Sequence, residues 1–492
     1  MNQFSGPYRE ADGSKTKIIA TVGPSCESPP MLRAMAEAGV DVFRLNFAHG
    51  EHGQLAAFVA AIRRISGELG RPIAILGDLG GPKIRLEELP GGTMQIDRDR
   101  RYALVRREDA GEPDTLATTY DGLIDELGTG DHVVLADGLV SLRVVEKRPD
   151  RVVCVVGQPG MVRSGQGVNL PDIDLSLPSV TAKDRADLGW ALDQGLDFVG
   201  LSFVRRAGDV RALRRLIDEF APAQPPMIVA KIEKPAAVAD LENIVAEADA
   251  VMVARGDLGV EVDVVRVPVI QKEIIRACNR QRVPVITATQ MLDSMERSKL
   301  PTRAEASDVA NAVLDGTDAV MLSGETAIGE YPREAVAMMS RIVREAEPLL
   351  DSNRELPMKV SSRNAATRMT RAAALGAMHA AEQLAARLIV VLTHSGRTAV
   401  AVSKLRNPMP VLALTDSPCS ARRLCMAWGV IPVVTEACHA PPQRLTDFVV
   451  DWARRHEMLD AGDHIVLLGT TDWSQPGKDL MLTHTVELER GE

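Results

Sequence analysis

The sequence predicts an α/β protein whose largest part is a closed (β/α)8 TIM barrel, on three observations. A single phrase, a short apolar run followed by polar residues and then a helix-like stretch, recurs eight times along the first part of the chain. The apolar runs are continuous rather than alternating, the pattern of parallel strands covered by helices. The residues just past the runs are charged or hydroxylic, as expected where parallel strands end together at one mouth. An open doubly wound sheet is the competing arrangement for the same pattern.

In chain order the runs are TKIIATVG from Thr16, VDVFRLNF from Val40, PIAILGDL from Pro72, DFVGLSF from Asp197, MIVAKIE from Met227, AVMVARGD from Ala250, VPVITATQ from Val283 and DAVMLSGE from Asp318. β-Branched and aliphatic side chains dominate them, which suits a strand buried on both faces. Between them lie stretches such as SPPMLRAMAEAG, HGQLAAFVAAIRRISGELG and PTRAEASDVANAVLDG, in which apolar residues return at helical spacing. One strand-and-helix unit occupies roughly 30 residues, yet Asp78 and Ser202, at consecutive strand ends, stand 124 apart. The surplus of roughly 90 residues is too long for a loop and has the size of a small domain. Residues 86–171, rich in Gly and Asp with β runs such as HVVLADGLVSLRVVEK and RVVCVVG, are that domain, hung from the active-site face of a barrel formed by 1–85 and 172–350. After RIVREAEPLL the polar stretch DSNRELPMKVSSRN reads as a linker. The remainder of 351–492 alternates helix and strand (TRAAALGAMHAAEQLAA, RLIVVLTHSG, TAVAVSKLRN, PVLALT, VIPVV, HIVLLG) as an open α/β domain. Its first helix is Ala-rich and nearly uncharged on one side, which implies a buried domain or subunit contact.

The bulk numbers agree with this division. A chain of 492 residues carries a prior of about three domains. Its 45% apolar and 25% charged content is that of a soluble globular protein. A net charge of -10 argues against nucleic-acid and anionic-membrane partners, which need basic surface. No stretch approaches the roughly 20 apolar residues of a membrane span, and the start, MNQFSGPYREADGSK, has no apolar signal core. The six cysteines, at 26, 154, 278, 419, 425 and 438, show neither metal spacing nor the density of a disulfide scaffold. A cytoplasmic location is expected, and with it the adhesion reading of Arg255, Gly256 and Asp257 falls away.

Collecting the strand ends gives Arg44, Asn46, Asp78, Ser202, Lys231, Glu233, Arg255, Asp257, Thr287, Thr289 and Glu325. Such a mixture is costly to bury without a ligand to pair with. Glu233 and Asp257, on neighbouring strands, suit a hard divalent ion such as Mg²⁺. Lys231 lies two residues before Glu233 and points to the same side; a purely structural Lys231–Glu233 ion pair is the alternative. Gly256 has no side chain and opens a helical turn, DLGVEV, whose bare N–H groups would hold a carboxylate or phosphate. Arg44 can pair bidentately with phosphate. A divalent ion, a lysine and an arginine together describe phosphoryl transfer better than proton abstraction alone.

TKIIATVGPS, FRLNFAHG, GDLGGPKIR, GVNLPD, KIEKPAAV, MVARGDLGVE, TATQMLDSM, PTRAEASDVANAVLDGTDAVMLSGET and THSGRTA resemble the successive signatures of the pyruvate kinase family, in family order from about residue 15 to the end. The resemblance implies a barrel with a small β-barrel lid after the third strand and a C-terminal α/β regulatory domain. It implies transfer of phosphate from phosphoenolpyruvate to ADP, giving pyruvate and ATP, with Mg²⁺ or Mn²⁺ as cofactor and a homotetrameric assembly. Carried over position by position, Glu233 and Asp257 hold the divalent metal, Lys231 stabilises the phosphoryl group in flight and Arg44 holds the phosphate. The backbone of Gly256 and Asp257 receives the substrate carboxylate, and Thr289 lies over the enolate face. Arg85, His49 and Asn46 fall to the nucleotide side, with a capping or packing role the alternative for His49. A potassium ion, the common family activator, would sit among Asn46, Asp78 and the carbonyl of Leu79.

Two departures stand out, and position 83 carries lysine where family members have either glutamate or lysine. Ala48 replaces a serine that helps hold potassium in many members. Gln166 stands where many have a lysine before GVNLP, leaving Arg163 as a substitute. Lys83, in GPKIR, brings its own ammonium to the potassium region, so potassium is expected to be dispensable; pairing of Lys83 with Glu87 or Glu88 is the alternative. In the C-terminal domain Thr393, Ser395, Gly396, Arg397 and Thr398 make a phosphate cradle at a helix start, where family members bind a sugar phosphate or AMP; a simple capped turn is the alternative. Two other readings of the whole chain are a lyase or mutase of similar barrel chemistry and a catalytically dead sensor of sugar phosphates.

Overall fold

The computed structural model describes residues 13–171, 173, 176–350, 365–470 and 479–487. Eight short, mostly apolar strands close on themselves: β1 (Lys17–Thr21), β2 (Val42–Asn46), β3 (Ala74–Asp78), β4 (Phe198–Leu201), β5 (Met227–Ile232), β6 (Ala250–Ala254), β7 (Val285–Ala288) and β8 (Ala319–Leu322). Each pairs in parallel with its neighbour in sequence, and β8 returns to β1. The barrel is therefore closed, not an open sheet. Ile19, Val42, Leu76, Val229, Met252, Ile286 and Met321 fill its interior, while the other face of the strands packs against the surrounding helices. Local chemistry starts those helices: Thr181 with Asp184, and Thr302 with Glu305, form capping boxes.

The chain leaves the barrel after β3 and re-enters before β4. In between it forms a curled six-stranded sheet, ordered Val168–Asn169, His132–Leu135, Val140–Lys147, Arg151–Gln158, Arg101–Val105, Thr115–Ala117, and a two-stranded ribbon of Thr93–Ile96 with Gly160–Arg163. Register shifts at Ser141/Leu142 and Val144/Glu146 curl the sheet. The insertion has its own core, including Ile96, Tyr102, Leu104, Val133 and Leu142.

The linker expected over 351–364 lies outside the described residues. Beyond it β9 (Leu388–Leu392), β10 (Val411–Thr415), β11 (Val430–Val434), β12 (His464–Thr470) and β13 (Asp479–Thr485) form one sheet, ordered β11-β10-β9-β12-β13, antiparallel only in its last pair. The Ala-rich helix Ala365–Gln383 buries Ala374, Ala377, Met378 and Ala381 in this domain's core, so it makes a contact within the domain. The domain seats under the barrel floor. Cys425 and Met426 join the cluster inside the barrel. Asp197 and Asp318, just before β4 and β8, pair with Arg422 and with Lys404 and Arg406. All six cysteines are free and buried. No helix among the described residues is long and apolar enough to cross a membrane.

Candidate active site

The C-terminal ends of β2 to β5 bring Arg44, Asp78, Ser202, Lys231 and Glu233 together. Lys231 Nζ lies 2.7 Å from Ser202 Oγ, 2.9 Å from Glu233 Oε1 and 3.3 Å from Asp78 Oδ2. Arg44 Nε donates to the same Asp78 oxygen at 2.9 Å, and its Nη1 to Thr21 Oγ1 at 3.1 Å. The ionisable groups Asp78, Lys231 and Glu233 are buried, as is Ser202, so each charge depends on its neighbours. Burial opposes the charge of Lys231, but the carboxylates of Asp78 and Glu233 outweigh it and hold the ammonium above the ordinary lysine range. Burial likewise opposes the Asp78 carboxylate, and Lys231 and Arg44 overcome it, keeping Asp78 below its usual value.

Glu233 differs. Burial pushes it upward, Lys231 pulls it back and the charge of Asp257 pushes it up again. Its Oε2 accepts the Phe203 N–H at 2.6 Å, while Oε1 faces the Lys231 ammonium at 2.9 Å. Asp257 sits in the first turn of the helix Arg255–Glu261. Two hard carboxylates, one of them buried and disfavoured by the other's charge, fit a divalent cation. Among the described residues no cluster of three or more His, Cys, Asp or Glu could hold a metal, so the remaining ligands would be water and substrate oxygens.

Lys83 does not turn back to Glu87 or Glu88. Its Nζ crosses to Asp257 Oδ1 at 3.3 Å, and Glu87 pairs with Arg107 instead. The groups sequence reasoning assigned to potassium already have partners. Asn46 Oδ1 accepts the Ala48 N–H, the Leu79 carbonyl accepts Ser202 Oγ, and Asp78 carries Arg44 and Lys231, with Oδ1 left bare. His49 is held below the ordinary histidine value by burial and then by Arg85, Arg44 and Lys83, which places four cationic or basic groups around one spot. Arg85 Nη1 also donates to the Gly165 carbonyl at the lid hinge. Gln166 Oε1 accepts the Arg163 N–H, and the Arg163 side chain is exposed.

Three strand-end residues are turned to other work. Arg255 is buried; its guanidinium donates to the carbonyls of Ala288, Thr289 and Gln290 and pairs with Asp308 at 2.7 Å. Thr287 points to Thr317, its hydroxyl 3.1 Å away. Glu325 accepts the N–H groups of Leu292 and Ser323. The physical reason is shared by two of them. Where loops leave the strands they bury their own N–H and C=O groups, which Arg255 and Glu325 satisfy, while Thr287 bonds the Thr317 hydroxyl. Arg255 also explains Thr289, which stands at φ 67 beside Gln290 at φ 52. A β-branched residue persists in this left-handed region only when its surroundings over-determine it. Thr289 Oγ1 accepts the Gly256 N–H at 2.7 Å, so β6 and β7 are tied at the point expected to meet the substrate carboxylate.

In the C-terminal domain Thr393 Oγ1 accepts the Gly396 N–H, shaping the turn. Ser395, Gly396, Arg397 and Thr398 line a cavity of about 560 Å³ against the barrel floor, together with Arg282, Arg371 and Arg423. Burial, then the charge of Arg371, lowers Arg282 to about 10. Sequence reasoning missed these arginines, which come from distant segments. It also passed over Lys234, Glu261 and Asn169, although each stands inside a quoted motif, KIEKPAAV, MVARGDLGVE and GVNLPD respectively.

A family model described as "Pyruvate kinase, barrel domain" matches residues 13–336, and one described as "Pyruvate kinase, alpha/beta domain" matches 371–482. The chain is 42% identical over 476 residues to a pyruvate kinase of Geobacillus stearothermophilus, across 96% of this chain and 80% of that protein. It is 38% identical over 469 residues to that of Clostridium acetobutylicum, across 95% and 98%. A crystal structure of a pyruvate kinase from Cryptosporidium parvum superposes with a TM-score of 0.89 at 34% identity, covering 99% of both chains.

Proposed function

The chain belongs to the pyruvate kinase family of phosphotransferases, and on that premise we propose how its residues move the phosphoryl group of phosphoenolpyruvate to ADP. The observation that carries the reading is the buried group of Arg44, Asp78, Lys231 and Glu233 with Asp257 beside it. Arg44 and Lys231 present fixed positive charge to a phosphoryl group whose transfer needs positioning and electrostatic stabilisation. Glu233 and Asp257 hold Mg²⁺ or Mn²⁺, which when bound neutralises charge on the transferring group. The N–H groups of Gly256 and Asp257 take the substrate carboxylate, the former exchanging its bond to Thr289, and Thr289 lies over the enolate face. Arg85, His49 and Asn46 serve the nucleotide phosphates. The test is a lactate dehydrogenase-coupled assay with phosphoenolpyruvate, ADP and Mg²⁺. No turnover would overturn the reading and favour a sensor or another barrel chemistry.

Potassium is dispensable in this reading. Its support is the tethered ammonium of Lys83 at Asp257 and the existing partners of Asn46, Leu79 and Asp78. Activation by a sugar phosphate or AMP is supported by the cavity at Ser395–Thr398, where Arg282, Arg371, Arg397 and Arg423 converge. A homotetramer is supported by the exposed apolar side chains Val264, Val265 and Val269 along one edge of the barrel. A cytoplasmic location belongs to the same reading.

A further inference from the structure

Two side chains reach from the lid hinge to one short helix of the barrel. On the outgoing segment Lys83 meets Asp257, in the first turn of Arg255–Glu261. On the returning strand Asn169 Nδ2 donates to Glu261 Oε1 at 2.8 Å, in the last turn. The same oxygen takes the ammonium of Lys234 at 2.6 Å, and Lys234 directly follows Glu233. Glu261 thus joins three segments far apart in sequence: the returning lid strand, the loop that carries Glu233 and the helix that carries Asp257. Its side chain is 0% exposed, with Oε1 doubly engaged and Oε2 without a partner. A carboxylate buried with so incomplete a set of partners contributes little to stability. Its effect is to fix geometry.

We propose that Glu261 is a positioning residue that registers the lid domain on the two metal carboxylates, so that the position of Asn169 is transmitted to the spacing of Glu233 and Asp257. The proposal rests on the assignment of those two residues to the divalent ion. With Asn169 in place, Glu261 is held from the lid and from Lys234 at once, and the helix bearing Asp257 has one orientation. With the lid withdrawn, Lys234 alone holds it, and the carboxylate pair is less well preorganised. Metal affinity should therefore depend on a residue that touches no metal.

The test is Mn²⁺ titration of the full-length protein followed by electron paramagnetic resonance, with KM for phosphoenolpyruvate and ADP measured separately from kcat. Outer partners of metal ligands typically contribute at least about tenfold to affinity, and Glu261→Gln is expected to weaken Mn²⁺ binding by about that factor. Asn169→Ala, which removes one hydrogen bond, should weaken it about threefold to tenfold. The double variant should bind no more weakly than Glu261→Gln alone, because both act through one joint. Unchanged Mn²⁺ affinity in Glu261→Gln overturns the proposal, as do fully additive losses in the double variant. If Glu261→Gln does not fold, Asn169→Ala and Lys234→Met carry the test, and unchanged affinity in both overturns it. Glu233→Gln is the control for the premise. If that variant keeps its Mn²⁺ affinity, the metal assignment itself has failed, whatever Glu261 does.

Discussion

Burial and Asp257 both act against the ionisation of Glu233, and Lys231 alone among the named charges acts for it. The Glu233 charge is needed where a cation binds. Glu233→Gln or Asp257→Asn removes a charge-assisted contact of about 1.5–3 kcal/mol, and the expected result is turnover lowered about tenfold to hundredfold with a weakened Mg²⁺ dependence. Normal turnover at limiting Mg²⁺ in either variant would take that residue out of the metal site. Lys83 supports a second expectation at this scale. The wild-type enzyme should be fully active in buffer free of potassium and ammonium. Lys83→Glu should acquire a potassium requirement, fully so once Ala48→Ser is added. A wild-type gain of about tenfold from potassium would contradict this. The same substitution replaces one of the cations that hold His49 down, so the His49 titration followed by NMR should move upward in Lys83→Glu.

At the scale of the element, the segment after β7 depends on Arg255. Its guanidinium supplies the donors that hold Ala288 to Gln290 through two consecutive left-handed residues, and Thr289 in turn receives the Gly256 N–H. Arg255→Met is expected to destabilise the protein by about 3–5 kcal/mol, the cost of breaking a buried ion pair, and to raise KM for phosphoenolpyruvate. Asp308→Asn removes the ion pair but leaves the carbonyl contacts, so denaturant melts should place it well above Arg255→Met in stability. Equal kinetics in wild type and Arg255→Met would show that Thr289 needs no such clamp. The strands themselves were legible in the sequence, because a continuous apolar run is a complete description of a strand buried on both faces. The direction of Arg255 was not legible. Side-chain alternation holds along a strand, and it lapses where the chain turns into φ values that a threonine or phenylalanine does not announce, as at Thr289 and at Phe203, φ 53.

Across the whole molecule, the C-terminal domain closes the floor of the barrel opposite its mouth. The helix Arg397–Ser403 begins at the loop of Ser395 and Gly396 and ends at Lys404, which pairs with the wholly buried Asp318. Asp318 also accepts the Val285 N–H at the start of β7. One helix thus runs from the candidate effector loop to the foot of the strand that carries Thr289. A sugar phosphate or AMP is expected to improve phosphoenolpyruvate affinity, and Ser395→Asp should abolish the response by placing a carboxylate where phosphate binds. Asp318→Asn leaves two buried cations short of an anion, at a cost of about 3–5 kcal/mol. It should uncouple the effector from the substrate curve and separate the thermal unfolding of the two domains. An effector panel that leaves the substrate curve unchanged in the wild type would remove the regulatory reading.

The sequence by itself determined the eight-stranded barrel, the insertion after β3, the C-terminal α/β domain and the carboxylates and cations of the mouth. Each is written in the order and spacing of residues that share one element or occupy successive strand ends. Only the tertiary structure decided that Arg255 and Glu325 serve the loops, that Thr287 turns to Thr317, and that Lys83 crosses to Asp257 instead of Glu87 or Glu88. It alone showed that Glu261 lies bare on one oxygen between Asn169 and Lys234, and that four arginines from separate segments line one cavity. These are contacts between residues tens to hundreds of positions apart, and a side chain's partner there is set by which backbone groups the closed barrel leaves unpaired at its ends. Local pattern carries periodicity and charge. It does not carry the packing that decides where a buried charge finds its counterpart.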